Sequence, residues 1–146
     1  HTPANTLRNT LSEEVRNVLS GRNFGDKVIQ FADEGDEAMK YGLLHSALAS
    51  YIHAIEWSII AHLQQTKEFD IIEKEGLEGG FSYSLLVDLL SEHVRVTQTT
   101  IENLSKHQTD RRIMAHHKSG KLAKSHVQSV KKTLEFLTDE LFVAID

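Results

Sequence analysis

The chain has 146 residues, 40% of them hydrophobic, and a formal net charge of −5, which fits one domain around one core. Cysteine is absent, so disulfides and thiolate metal centres are excluded. No apolar run approaches the roughly 20 residues of a membrane helix, and no basic start followed by an apolar stretch marks a signal peptide.

The expectation is a single helical domain over 1–146, located in the cytoplasm, with no membrane as partner. Its first residue, His1, is not Met, so the chain reads as a fragment. The core is expected over about 26–143, behind an N-terminal 1–25 extension that carries a short helix. Pro3 is the only proline, the few glycines cluster, and period-2 strand patterns are missing.

The first helix is predicted from Ser12 to Gly21, with Thr10 and Glu13 as a capping box. Asp26 is the N-cap candidate of a second helix, Lys27 to Tyr41, which Gly35 is expected to weaken or break. A third runs from Leu43 to Thr66. Its Leu44, Leu48, Tyr51, Ile52, Ile55, Ile59 and Leu63 recur at three- and four-residue spacing and form one buried stripe. Phe69–Glu75 reads as a short helix or turn, and Gly76, Gly79 and Gly80 as a loop. Ser82 is the next N-cap candidate, opening a helix over Tyr83 to Lys106. The last helix, Lys121 to Val143, places Val127, Val130, Leu134, Leu137 and Leu141 at 3-4-3-4 spacing. Together these predict an all-α fold, an antiparallel four- to five-helix bundle.

Most chemistries find no support. There is no Gly-x-Ser-x-Gly elbow, no phosphate-cradling glycine loop and no His-Glu-x-x-His. No glutamate has a histidine three residues later, as a di-iron bundle requires. No metal and no cofactor are expected; His45, His53, His62, His93 and His126 read as core-edge or surface residues.

One segment stands apart. Asp110-Arg111-Arg112-Ile113-Met114-Ala115-His116-His117-Lys118-Ser119-Gly120 concentrates two guanidiniums, two imidazoles and a lysine. Residues 106–132 carry +7, against −12 for the rest of the chain, a local patch that a polyanion would meet. Arginine clamps phosphate with parallel hydrogen bonds, and histidine exchanges a proton near neutral pH. In an unbroken helix Arg111 and His116 would point about 140° apart, whereas Arg112 and His116 share a face. Arg111 and His116 converge on one phosphate only if the segment bends, or if a second subunit supplies one of them. Small Ala115 lets a backbone or substrate come close.

Arg111-Arg112-Ile113-Met114-Ala115-His116 resembles the motif of the HEPN domains: an arginine, four to six residues, then a histidine. Tyr41-Gly42-Leu43-Leu44-His45-Ser46-Ala47, followed by Ala54-Ile55-Glu56-Trp57, resembles their long second helix. The resemblance covers about residues 26–143 and implies an HEPN-like helical bundle with the motif just before its last helix. It also implies a metal-independent endoribonuclease working as a homodimer on RNA. Toxin–antitoxin and phage-defence roles are common in the family, so a cognate antitoxin protein is an implied partner. By resemblance the catalytic pair is Arg111 and His116. The position after the motif arginine is usually a short polar residue, and here it is Arg112. Arg112 and His117 also fit the spacing, so the register stays open. Arg112, His117, Lys118, Lys121 and Lys124 are expected to hold substrate phosphates, with Glu56 and Asp110 as orienting carboxylates. The alternative is a non-catalytic HEPN-like helical module that binds RNA, a nucleotide or a protein partner.

Overall fold

A computed structural model describes residues 9–64, 82–108 and 122–143. The described residues form six α-helices and no strand: α1 (Glu13–Ser20), α2 (Gly25–Lys40), α3 (Leu44–Leu63), α4 (Tyr83–His93), α5 (Gln98–Lys106) and α6 (Lys124–Phe142). The expected helix or turn at Phe69–Glu75, the loop at Gly76, Gly79 and Gly80, and the segment 109–121 lie outside the described residues.

Helix α1 is capped by the Ser12 hydroxyl, which accepts from the Val15 amide at 3.2 Å. Glu13 and Glu14 stand in its first turn, where the helix dipole favours acid. Thr10 and Glu13 form no capping box; Thr10 turns to Asp36 of α2 instead. The segment expected as an extension supplies Leu11, Val15 and Leu19 to the common core.

Helix α2 begins at Gly25, so Asp26 lies in its first turn and Phe24, in the left-handed region at φ 64°, takes the cap position. The helix passes through Gly35 without a break. A Cβ at Gly35 would come within 2.5 Å of the Tyr51 ring. The glycine is therefore a point of close approach between α2 and α3. Its propensity cost of about 1 kcal/mol is offset by the packing it permits.

Helix α3 is the central element. Leu48, Tyr51, Ile52, Ile55, Ile59 and Leu63 are all inaccessible, and Leu44 packs partly buried at the margin. Ala47, Ala54 and Ala61 are inaccessible too, so the helix is enclosed beyond a single stripe, as expected of a helix packed on several sides.

The single helix expected over Tyr83 to Lys106 is two helices. Val94 turns extended after α4, and Thr97 caps α5 by accepting from the Thr100 amide. Glu140 of α6 fixes the break, accepting from the Thr97 amide at 2.8 Å and from the Thr100 hydroxyl. Ser82 caps α4 as predicted, accepting from the Leu85 amide at 2.9 Å. In α6, Val127, Val130, Leu134, Leu137 and Leu141 are all buried, as their spacing predicted.

The pairs α1–α2, α2–α3 and α5–α6 run antiparallel, but α3 and α6 run parallel. Tyr51 and Lys131 meet at Asp36, and 11 residues further along each helix His62 meets Phe142. The expectation of an antiparallel bundle thus holds for those pairs and not for the whole fold. Among the described residues no helix is long and apolar enough to cross a membrane.

Candidate functional site

Arg111, Arg112, His116, His117, Lys118, Lys121 and Asp110 fall outside the described residues, and what the structure defines is the ground on either side of them. The segment leaves from His107, the C-cap of α5, and re-enters the described fold at Leu122, ahead of α6. His107 is 5% exposed. Its Nε2 lies 2.9 Å from the Thr133 hydroxyl, whose own proton goes to the Ser129 carbonyl at 3.1 Å; Nε2 is accordingly the donor. This bond ties the end of α5 to the middle of α6. His107 escaped the sequence reading, although Thr100, Leu104 and His107 share one buried helical face, which is the signal that marks it.

The cations that flank the segment are not equivalent. Lys106, Lys124 and Lys132 are exposed and free to face a polyanion. Lys131 is turned inward, its Nζ 3.5 Å from Asp36, and is withdrawn from any open basic track. Glu56 is 7% exposed on α3, 3.3 Å from His53 Nδ1. A buried carboxylate of this kind is held by partners rather than by water.

Two polar clusters emerge that the sequence did not announce. The first surrounds Asp36, which sits on the buried face of α2 with Val28, Ala32 and Met39. Its carboxylate accepts from the Thr10 amide at 2.8 Å, the Thr10 hydroxyl at 2.6 Å and the inaccessible Tyr51 hydroxyl at 2.7 Å. With Lys131 these donors satisfy the charge. Burial, then the hydrogen bond to Asp36, push the Tyr51 phenol well above its ordinary value. Beside this cluster Asn9, Thr10, Ser12, Glu135 and Asp139 line a cavity of about 330 Å³, where burial and the neighbouring Glu135 and Glu14 raise Asp139.

The second cluster lies where α3 and α6 end. Arg22, in the turn between α1 and α2, places its guanidinium carbon 5.2 Å from the Phe142 ring centroid. His62 meets the same ring edge-on at 6.0 Å. Burial, then the charge of Arg22, lower the His62 pKa. Arg22 Nη1 and His62 Nδ1 are buried with no hydrogen-bond partner. His45 and His126 are exposed and His53 half-buried, in the core-edge and surface places expected of them.

Compared with known protein families, curated proteins and solved structures, the chain shows no match.

Proposed function

We propose that the chain is a metal-independent endoribonuclease of the HEPN type, acting on cytoplasmic RNA as a homodimer, with a cognate antitoxin as regulatory partner. The observation that carries the reading is the coincidence of Arg111 and His116 with the one strongly basic segment of an otherwise acidic chain. The all-helical fold is compatible with it, and the segment sits between α5 and the final helix. RNA supplies its own nucleophile, the 2′-hydroxyl. His116 takes that proton or delivers one to the leaving 5′-oxygen, worth on the order of 10²–10⁴-fold. Arg111 stabilises charge on the phosphorane. The 2′-oxygen–phosphorus bond forms as the phosphorus–5′-oxygen bond breaks, leaving a 2′,3′-cyclic phosphate and a 5′-hydroxyl. Exposed Lys124, with Arg112, His117, Lys118 and Lys121, holds neighbouring phosphates. Glu56 and Asp110 orient the cations.

The test is incubation with matched RNA and DNA strands in excess EDTA, with the product ends mapped. RNA alone is expected to be cut, leaving cyclic phosphate ends; cleavage of DNA, or loss of activity in EDTA, contradicts the reading. Parallel Arg111→Ala and Arg112→Ala variants decide the register.

Arg112, standing where the motif usually has a short polar residue, favours one second reading: a non-catalytic module that binds RNA through the same basic segment. Salt-sensitive RNA binding without cleavage is its signature.

A further inference from the structure

The end of the bundle near Phe142 holds two buried side-chain nitrogens that lack hydrogen-bond partners. Polar atoms are rarely buried without a partner, yet in the half-buried Arg22 and His62 side chains Nη1 and Nδ1 are both buried and unpaired, and both side chains pack on the Phe142 ring. Next to them opens a cavity of about 570 Å³, lined by His62, Arg95 and Thr97 with the apolar Val94, Val96 and Leu141. That volume is within the range of small-molecule sites, as is a largely apolar wall with a few convergent polar groups. One acid, Glu140, also lines it, but its carboxylate is engaged by the Thr97 amide and the Thr100 hydroxyl.

We propose that this cavity binds a small organic phosphate, its phosphate held by Arg95 and His62 on the wall with Arg22 behind them, and its organic part against Val94, Val96 and Leu141. Two arginines exceed what a single carboxylate would balance, whereas a phosphate carries up to two charges and several acceptor oxygens. The elements involved are the α1–α2 turn, the end of α3, the α4–α5 link and the end of α6. None of the residues that carry this proposal belongs to the Arg/His segment, so the inference does not rest on the nuclease reading.

The experiment follows the His62 imidazole by NMR through pH titrations of the whole chain, alone and with adenosine monophosphate, inorganic phosphate or acetate. Arg22 acts on that ring through its charge, and Arg95 and Glu140 are the charged groups that line the cavity with it. An anion in the cavity stabilises the imidazolium, so adenosine monophosphate is expected to raise the His62 pKa saturably at millimolar concentration or below. Inorganic phosphate acts more weakly and acetate not at all. Arg95→Gln and Arg22→Met, which keeps the aliphatic stem on Phe142, each weaken the effect about tenfold, the usual size of one charge-assisted contact. No response to either phosphate at ~10 mM, an equal response to acetate, or an undiminished response in both folded variants overturns the proposal.

Discussion

Asp36 and Arg22 are both charged side chains set against the same core, one beside the first half of α3 and the other near its last turn. The carboxylate is met by the Thr10 amide, two hydroxyls and an ammonium. The guanidinium is met by an aromatic face and by a histidine, which has no negative charge to offset it. A buried charge whose partners are complete stabilises the arrangement that completes it, because removing any member leaves the others stranded. A half-buried cation whose inner nitrogen lacks an acceptor contributes little to the fold and keeps its hydrogen-bonding capacity for something else. The Asp36 cluster therefore reads as architecture, joining the N-terminal segment to α2, α3 and α6, and the Arg22 cluster as a place held open.

That contrast can be broken by substitution. Asp36→Ala strands the inaccessible Tyr51 hydroxyl, the Thr10 amide and Lys131 together, and is expected to cost about 3 kcal/mol, read as a lowered urea midpoint at unchanged slope. Gly35→Ala pushes a methyl into the Tyr51 ring and should cost about 1–3 kcal/mol, well beyond the helix-propensity gain of replacing glycine. Arg22→Met, at the other cluster, is expected to change stability by less than ~0.5 kcal/mol in either direction, since no acceptor loses its donor. A loss as large as that of Asp36→Ala would erase the distinction between the clusters.

The smallest effect is one of pH. His62 is held below its ordinary value in the folded chain by burial and by Arg22, so the unfolded chain binds the extra proton. Stability attached to this residue is present above the unfolded value of about 6.5 and is lost as pH falls below it. Asp139, raised by burial and by Glu135 and Glu14, acts in the opposite sense, favouring the fold as pH falls towards the ordinary carboxylate range. In His62→Gln the stability slope just below pH 6.5 is expected to flatten, measured by denaturant titration at several pH values.

How much of this was legible depended on how far each cause lay along the chain. Helix α6 could be read because Val127, Val130, Leu134, Leu137 and Leu141 carry the period themselves, and α4 opened where the Ser82 cap said it would. Gly35 was misread as a weak point because its reason, the Tyr51 ring, arrives 16 residues later. The break before α5 had a local signal in β-branched Val94, Val96 and Thr97, which resist helix, but its anchor Glu140 is 43 residues away. Thr10 stands at a capping position in the sequence, but its partner, Asp36, lies on α2. Asp36 and His107 were visible in principle as polar residues on apolar helical faces; what each bonds to was not. The Arg/His segment is the reverse case: chemistry written plainly in consecutive residues, with the surrounding fold defining only its two attachment points, His107 and Leu122.

The most direct test of the functional account is incubation of total RNA with the wild-type chain beside His116→Ala, with circular dichroism confirming that both keep the same helical content. The account predicts endonucleolytic cleavage by the wild type and none by the variant. Equal cleavage by a clean preparation of His116→Ala, or no cleavage by either, would contradict it.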